Sequence, residues 1–303
     1  MIYTVTLNPA VDYYLELEKF VEGDLNTLKN GYTLPGGKGI NVSKVLKNFG
    51  VPSTALGFIG GFTGTYIKKS VFNYEIDEKF VEIDENTRIN IKMKTNTSES
   101  EIAGIAPKIS ELEYEKFFST IKSIKEDDIL VLSGSVPSSL KSDIYKKIIK
   151  ITPDSVKIVL DTRGEPLKIA LSNKVFLVKP NKEEIEEFFQ EKYKNEVELI
   201  KAGKKLKRLG AQNVLISLGK DGSILISKEG IYRGGVPSGK LISSVGAGDS
   251  MISGLLYGLH FNENIVEAYK YAIAAGSSTA FSKGLTTLED MNNLLNAIDI
   301  QKL

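Results

Sequence analysis

Residues 129–178 read ILVLSGSVPSSLKSDIYKKIIKITPDSVKIVLDTRGEPLKIALSNKVFLV, and this stretch decides the fold class. It contains three short apolar runs, Ile129–Ser133, Lys157–Asp161 and Val175–Val178, which are bounded by Gly, Pro, Asn or Asp. Runs that are apolar on both faces are typical of strands inside a parallel sheet. Between the first two runs, Ser142–Ile149 is amphipathic and predicts a helix. The stretch therefore predicts alternating strands and helices.

The same alternation extends to both ends of the chain. Further apolar runs occur at Ile2–Leu7, Thr54–Ile59 and Val214–Ser217, and further amphipathic stretches at Glu113–Lys125 and Glu196–Leu209. Strands that alternate with helices of ten or more residues are typical of βαβ units. The predicted fold class is therefore α/β, with a doubly wound, mostly parallel sheet between layers of helices.

Two pairs of segments break this alternation. Tyr13–Phe20 with Lys29–Leu34, and Arg88–Lys94 with Glu101–Ile105, alternate in polarity and contain too few apolar residues for a buried parallel sheet. We predict that they form a small antiparallel sheet, a lid over one edge of the core. The lid would be drawn from about residues 12–36 and 86–107.

The lid segment 88–94 carries an uneven distribution of charge. A period of two places Ile89, Ile91 and Met93 on one face. The opposite face then presents three cations and an amide, which suits a phosphate ester and sugar hydroxyls; these residues are Arg88, Asn90, Lys92 and Lys94. A solvated strand face is the alternative interpretation.

Composition narrows the class of protein. The chain has 303 residues, of which 42% are hydrophobic and 25% charged, as expected for a globular protein with a substantial core. The 39 basic and 38 acidic residues leave a net charge of +1, so we expect neither a nucleic-acid nor a membrane partner. The chain contains no cysteine, which excludes disulfides, zinc thiolate sites and thiol nucleophiles. No apolar run approaches the roughly 20 residues of a membrane helix, and we expect a soluble cytoplasmic protein.

The strongest local signal for chemistry is the segment SVGAGDSM at residues 244–251, which precedes a helical pattern. Its two glycines let the backbone amides converge, and the start of a helix adds a positive dipole end, so the segment predicts an anion hole. Asp249 would lie in the first helical turn, where a carboxylate is stabilised and can remain ionised as a proton acceptor. A glycine-rich turn with Asp at a favourable helix start is the alternative.

A second glycine cluster, PGGKGINVS, spans residues 35–43. It is not a P-loop, because Gly39 follows the lysine and the upstream glycine spacing is missing. We interpret it as a loop whose backbone approaches a ligand, with Lys38 and Asn41 available for hydroxyls or phosphate. A glycine hinge between lid and core is compatible with the same residues.

Taken together, these motifs resemble the ribokinase-like carbohydrate kinases of the PfkB family, and within it the branch of 1-phosphofructokinases and tagatose-6-phosphate kinases. The resemblance covers nearly the whole chain, and the order and spacing of the motifs carry it. They are TLNPAVD at 6–12, PGGKGINVS at 35–43, TRINIK at 87–92, SGSVP at 133–137, LDTRG at 160–164, KPNKEE at 179–184, SLGKDG at 217–222 and VGAGDS at 245–250. The resemblance implies one ribokinase-like domain over residues 1–303, with a three-layer α/β/α core and a small β-sheet lid.

The resemblance also implies roles for individual residues. Asp249 would be the base, beside an anion hole formed by Gly246, Ala247 and Gly248. Substrate-binding residues would be Asp12, Gly36, Gly37, Lys38 and Asn41 for the sugar, and Arg88, Asn90, Lys92 and Ser135 for its phosphate. Nucleotide-binding residues would be Lys179, Asn181, Ser217, Gly219, Gly222 and Gly248. The cofactors would be ATP and Mg²⁺, the latter organised by Asn181 and Glu184 through water.

The Asn181 and Glu184 pair has a second interpretation. Asn at a helix start followed three residues later by Glu has the spacing of a capping box, and Lys179-Pro180 before it indicates a helix boundary. One helix turn can serve both purposes.

The activity implied by the resemblance is transfer of phosphoryl from ATP to fructose 1-phosphate, giving fructose 1,6-bisphosphate. Tagatose 6-phosphate and fructose 6-phosphate are alternative acceptors. An unphosphorylated sugar or nucleoside is disfavoured, because the lid cations would then face a neutral ligand. A non-catalytic sugar-phosphate sensor is a remote alternative, disfavoured because the Gly-x-Gly-Asp element is retained.

The sequence departs from the family pattern in two places, and it does not decide what these departures do. It does not decide the oligomeric state either. Ala103 and Ala106 stand near the lid where this branch commonly has Asn and Gly, and Arg163 stands where a small residue is common. Arg163 would either add a basic contact or face solvent. The apolar lid face predicts a homodimer packed lid to lid, with coverage inside one chain as the alternative.

Overall fold

The computed structural model describes residues 1–261 and 263–303, and within these ranges the chain forms fourteen strands and ten α-helices. The strands are β1 Ile2–Thr6, β2 Ala10–Glu16, β3 Asn30–Gly36, β4 Ser53–Gly60, β5 Asp77–Ile83, β6 Arg88–Lys94, β7 Glu99–Ile102, β8 Ile129–Ser133, β9 Lys157–Asp161, β10 Val175–Val178, β11 Ala211–Ser217, β12 Ser223–Ile226, β13 Ile231–Gly234 and β14 Ile300–Lys302. The helices are α1 Lys38–Asn48, α2 Gly61–Asn73, α3 Glu111–Ile121, α4 Ile144–Ile151, α5 Gly164–Leu171, α6 Lys182–Phe189, α7 Glu196–Leu209, α8 Ala247–His260, α9 Ile265–Ala280 and α10 Leu288–Leu295.

Ten strands form the main sheet, in the order β14-β13-β12-β11-β10-β9-β8-β1-β4-β5. Every neighbouring pair from β11 to β5 is parallel, whereas β12, β13 and β14 add an antiparallel edge. The predicted alternation of strands and helices is confirmed, and so is the mostly parallel sheet. None of the helices in residues 1–261 and 263–303 is long and apolar enough to cross a membrane.

Helices cover both faces of the main sheet and give the predicted three layers. Along β8, Leu130 and Leu132 face one buried cluster and Val131 faces the other, as the period of two requires. Helices α3 to α7 pack on the first face, with Phe117 among their buried side chains. Helices α1, α8, α9 and α10 pack on the second, with Leu255 among theirs. This is the architecture expected of a ribokinase-like core.

The remaining four strands form a separate small sheet, in the order β3-β2-β6-β7. The sequence predicted an antiparallel sheet, and for the central pair this was wrong, because β2 and β6 are parallel. The reason lies in the core: β1 leads into β2 and β5 leads into β6, and β1, β4 and β5 all run in one direction. Both connections therefore enter the small sheet with the same polarity. The outer pairs, β2–β3 and β6–β7, are antiparallel as predicted.

The α8–α9 contact fixes the helix that carries Asp249. At Gly254 of α8, an added Cβ atom would lie 2.3 Å from the backbone oxygen of Tyr271 in α9. At Gly258 it would lie 2.7 Å from the Cα atom of Ala268. The two backbones therefore approach more closely than any residue with a side chain would permit.

We expect Gly254→Ala to destabilise the fold by about 1–3 kcal/mol, because the new methyl group meets rigid backbone and overpacks the helix contact. Urea unfolding would measure this change. Gly235→Ala is the matched control, since a Cβ atom there meets nothing within 4 Å. Equal stability of the two variants would contradict a close α8–α9 contact.

Candidate active site

A cleft of about 1170 Å³ opens at the carboxyl ends of β10 and β11 and at the starts of α6 and α8. Ligand sites in parallel sheets lie at this edge, because the strands end there together and the following loops diverge. Most of the residues predicted for nucleotide, metal and catalysis line this cleft, together with Lys38 from the predicted sugar-binding set. They are Lys38, Lys179, Asn181, Glu184, Ser217, Gly219, Gly222, Gly246, Ala247, Gly248 and Asp249.

The start of α8 has the form predicted for an anion site. Gly246 is the N-cap with φ 79°, a left-handed conformation that favours glycine, and no side chain of the described residues caps the helix. The Ala247 amide donates to the Ser244 carbonyl at 3.3 Å. The amides of Gly248 and Asp249 lie in the first turn and have no intrahelical acceptor. These two amides, at the positive end of the helix dipole, can therefore receive an anion.

Asp249 is buried at the cleft wall, with only 6% of its surface exposed. Its Oδ2 atom accepts a hydrogen bond from Asn41 Nδ2 at 2.8 Å. Burial, and to a smaller extent the Asp161 charge, raises the pKa of Asp249 to about 6. Lys38, Asn41 and Lys179 act in the opposite direction. Near pH 7 most Asp249 side chains are therefore ionised, as expected for a carboxylate at a helix start. The pKa lies closer to 7 than the helix dipole alone would place it, because burial favours the protonated carboxyl group.

Asp161, at the end of β9, is a site residue that the sequence analysis missed. It is 1% exposed and lies between two ammonium groups, with Lys38 Nζ 3.1 Å from Oδ2 and Lys179 Nζ 3.4 Å from Oδ1. Burial alone would raise its pKa, but the charges of Lys179 and Lys38 hold the pKa below its ordinary value. The available signal was a carboxylate at the end of an apolar strand, in the motif LDTRG. Arg163 of the same motif is exposed, which favours its solvent interpretation.

Asn181 and Glu184 form the capping box at the start of α6. Asn181 Oδ1 accepts from the Glu184 amide at 2.7 Å, and Glu184 Oε2 accepts from the Asn181 amide at 3.0 Å. The capping interpretation is therefore confirmed. The cap engages one oxygen of each side chain, so Glu184 Oε1 can still accept a hydrogen bond from a ligand or water. Within residues 1–261 and 263–303 no three His, Cys, Asp or Glu side chains converge to hold a metal, so a Mg²⁺ ion would take phosphate and water ligands as well.

The turn at Gly219–Asp221 is held by a residue that the sequence analysis did not single out. Arg233 donates to the carbonyls of Asp221 and Ser223, and its Nε lies 2.7 Å from a carboxylate oxygen of Glu196. Ser217 lies next to Asn181 across a parallel bridge. The predicted nucleotide residues of β10, β11 and this turn therefore form one wall.

The small sheet contributes the other group of predicted residues. Asn90 Nδ2 donates to Asp12 Oδ1 at 2.8 Å, and a Cβ atom at Gly36 would lie 2.5 Å from Asp12 Oδ2. Gly36 therefore lies directly against the Asp12 carboxylate, and a side chain at position 36 would displace that carboxylate. Burial raises the pKa of Asp12, with Asn90 and Lys92 acting against it.

The two cations Arg88 and Lys92 of β6 differ in how far other protein groups already bind them. Arg88 donates to the Asn8 carbonyl at 3.2 Å, and its Nε is buried with no hydrogen-bond partner among residues 1–261 and 263–303. Lys92 is paired with Glu101 at 2.8 Å, so part of its charge is already neutralised within the sheet. Ser135 is exposed and accepts from Asn8 Nδ2 at 3.2 Å, which places it near the same corner.

The two groups of residues meet at the start of α1. The sequence predicted a loop over residues 35–43, whereas the helix begins at Lys38, directly after Gly37 with φ 136°. The early start places Lys38 and Asn41 on successive turns, where Lys38 reaches Asp161 and Asn41 reaches Asp249. The segment before it, Asn30–Gly36, belongs to the small sheet. The site thus runs continuously from the small sheet to α8.

The departures near the lid lie just beyond β7. Ala103 is exposed and Ala106 is half-buried. Between the two alanines, the Gly104 amide donates to Asn90 Oδ1 at 3.1 Å. The segment therefore contacts the predicted sugar side through its backbone.

Comparison with known proteins is decisive for the family. The model of the pfkB family of carbohydrate kinases matches residues 5–291. This chain belongs to that family. It is 44% identical over 304 residues to a 1-phosphofructokinase of Bacillus subtilis (strain 168), with 100% of both chains covered. It is 36% identical over 305 residues to a D-tagatose-1-phosphate kinase of Bacillus licheniformis, again with 100% of both covered.

A solved structure supports the same assignment. Phosphofructokinase-2 from Escherichia coli, in complex with substrates and products, matches with a TM-score of 0.91 and 26% identity. The match covers 97% of this chain and 98% of that one. The chain is a carbohydrate kinase with the ribokinase-like fold, a phosphotransferase that acts on a hydroxyl group.

The buried Asp249 gives a testable dependence of stability on pH. Because its folded-state pKa of about 6 lies above the ordinary 3.8, the carboxyl group favours the folded state while protonated, and this contribution is lost as pH rises through about 6. We expect Asp249→Asn to be more stable than the wild type at pH 8, by up to about 3 kcal/mol, with the difference vanishing near pH 4.

Chemical denaturation across this pH range would measure the difference. Asp77→Asn, on the exposed start of β5, is the control and should change stability by less than about 0.5 kcal/mol. An Asp249→Asn variant no more stable than wild type at pH 8 would mean that the carboxylate is solvated.

Proposed function

We propose that this chain transfers the γ-phosphoryl group of ATP to the 6-hydroxyl of fructose 1-phosphate, giving fructose 1,6-bisphosphate. One observation carries the chemistry: a buried carboxylate, Asp249, lies in the first turn of α8 beside two free backbone amides, in a large cleft. The acceptor is taken from the 1-phosphofructokinase that is 44% identical over the full length.

In this proposal Asp249 accepts the proton of the attacking hydroxyl. With a pKa of about 6 it is mostly ionised at pH 7, yet basic enough to take a proton as the oxygen attacks phosphorus. The Gly248 and Asp249 amides stabilise charge on the transferring phosphoryl oxygens. Water is excluded because the carboxylate is enclosed at the cleft wall and the small sheet closes over the acceptor.

The nucleotide would lie along the wall formed by β10, β11 and the turn after β11. Lys179, buried beside Gly248, places a cation next to the anion site. The glycine-bearing turn lines the cleft, so its main chain would lie beside the nucleotide. The remaining predicted residues here are Asn181, Ser217, Gly219 and Gly222. Mg²⁺ would be held through water by Glu184 and Asn181, and would neutralise charge on the phosphates.

The sugar phosphate would lie between the small sheet and the start of α1. Asp12, next to Gly36, offers a carboxylate to sugar hydroxyls, while Gly37 and Lys38 line the approach to Asp249. Arg88 would bind the existing phosphate, because its buried Nε has no hydrogen-bond partner in the part of the chain that the structure describes, and a guanidinium binds phosphate oxygens well. Asn90, Lys92, Ser135 and Asn41 complete the set.

Other ketohexose phosphates are the second candidates. The 36% identical relative is a D-tagatose-1-phosphate kinase, which differs from a fructose 1-phosphate enzyme in the sugar and not in the position of the phosphate. Tagatose 6-phosphate and fructose 6-phosphate exchange the positions of phosphate and attacking hydroxyl. A non-catalytic sensor is disfavoured because the catalytic carboxylate is present and supported by Asn41.

We also propose that two chains pair through their small sheets. Residues from three of its strands share the apolar face, and several are exposed: Tyr13 is 36%, Ile89 40% and Ile102 56% accessible. Exposed apolar residues that share one face are typical of an interface. The single-domain arrangement, with the small sheet as its lid, is part of the same proposal.

The proposed function is tested by a coupled kinase assay with ATP and each of five acceptors: fructose 1-phosphate, tagatose 1-phosphate, tagatose 6-phosphate, fructose 6-phosphate and unphosphorylated fructose. We expect the highest kcat/KM with fructose 1-phosphate, and a decline below about pH 6 as Asp249 is protonated. Asp249→Asn should lower kcat by about 100- to 10,000-fold while nucleotide affinity, measured separately, is retained. Near-normal turnover by this variant would exclude Asp249 as the base.

Arg88→Ala tests the acceptor side. We expect KM for the sugar phosphate to rise about 10- to 100-fold and KM for ATP to change less than about threefold, since the lost contact is to the acceptor phosphate. Lys94→Ala is the control from the same strand and face; its ammonium is exposed and paired with Glu99 at 3.2 Å. Equal effects on both substrates would place Arg88 elsewhere.

A further inference from the structure

The Asp161 carboxylate is the most deeply buried charge at the site, and the mechanism above gives it no role. It is 1% exposed and lies at the carboxyl end of β9, behind the cleft. A buried carboxylate is costly unless it is paired, so its presence requires a compensating interaction. The compensation comes from two cations, Lys38 at 3.1 Å and Lys179 at 3.4 Å.

These two lysines reach Asp161 from separate elements. Lys38 opens α1, the helix whose Asn41 binds Asp249. Lys179 follows β10 and lies against α8, since a Cβ atom at Gly248 would be 3.0 Å from its Nζ. One carboxylate therefore ties the start of α1 to the residue that flanks the free amides of α8.

The charges around Asp249 can be named element by element. Lys38 from α1 and Lys179 after β10 favour its ionised form, and Asp161 from β9 opposes it. Asn41 contributes a neutral donor. Glu184 of α6 acts on Lys38. Asp161 is thus the negative charge that balances the two cations nearest the proposed base.

We propose that Asp161 is a positioning residue for phosphoryl transfer: it holds Lys38 and Lys179 at the start of α8, where the γ-phosphoryl group would lie, and keeps both ammonium groups from moving onto Asp249. The proposal rests on the proposed function. Without the Asp161 charge, both ammonium groups would be unpaired and free to approach Asp249. The base would then be both displaced and weakened, because opposite charge favours the ionised carboxylate.

Asp161→Asn keeps the size of the side chain and removes its charge. We expect kcat to fall about 10- to 100-fold with KM for the sugar phosphate changed less than about threefold, since misplaced groups slow the chemical step. The acid limb of the kcat/KM profile should move to lower pH by about one unit, because the pKa of Asp249 falls when a neighbouring anion is removed.

Asp128→Asn is the matched control. Asp128 is also buried and lies near the sheet, just before β8, but it pairs with the N-terminal amino group at 2.8 Å, away from the cleft. Its loss should cost stability without moving the acid limb. A lower kcat for Asp161→Asn with an unmoved acid limb would overturn the proposal, as would a change confined to the Mg²⁺ concentration needed for half-maximal rate.

Two further measurements keep the test decisive. Lys38→Met removes a cation near Asp249, so the acid limb of the kcat/KM profile should move to higher pH. This variant replaces Asp161→Asn as the test if Asp161→Asn does not fold. An acid limb that does not move to higher pH would overturn the proposal. The effect of Asp249→Asn on stability, measured against pH in the Asp161→Asn background, requires no turnover. If the stability difference in this background develops at lower pH than in the wild-type background, the result supports the proposal. It does so even if no acceptor is phosphorylated, because a lack of turnover would refute only the proposed function.

Discussion

The shared polarity of parallel strands is the constraint on which the site depends. From β11 to β5 every strand of the main sheet ends at one edge, and the groups that follow those strands therefore meet there. Asp161 ends β9, Lys179 follows β10 and Ser217 ends β11. Helices α1 and α8, which begin at the same edge, add Lys38, Asn41 and Asp249. No local segment of the chain contains this arrangement; it exists only because the sheet aligns the strand ends.

Burying the charged groups of this arrangement lowers the stability of the folded state, and the same burial makes the Asp249 carboxylate more basic. A carboxylate whose pKa is raised to about 6 is unfavourable for the folded state at neutral pH, as active-site groups often are. The cost is offset by the apolar clusters on both faces of the sheet, and by the tight α8–α9 contact that holds the helix bearing Asp249. The ion pairs of Asp161 do little to offset this cost, since buried ion pairs add little net stability to the folded state.

The sequence predicted those parts of the fold that depend on local patterns. Two-sided apolar runs such as Ile129–Ser133 indicated the parallel strands, and the glycines before Asp249 predicted the helix start and its free amides. It did not predict the parallel β2–β6 pair, because chain direction is set by the core strands that lead into it. Nor did it predict the Asn41–Asp249 hydrogen bond, which joins residues 208 positions apart, or the ion pairs of Asp161, whose partners lie on other elements.

The capping box at α6 restricts how this enzyme can vary. Asn181 and Glu184 satisfy each other's backbone amides, so the side chains proposed to organise the metal also hold the first turn of the helix. A change at either position would therefore disturb the helix cap as well as the proposed metal contact. Glutamine at position 184 would preserve the backbone contact and remove the charge, so this substitution would separate the cap from the proposed metal contact while the helix stays intact.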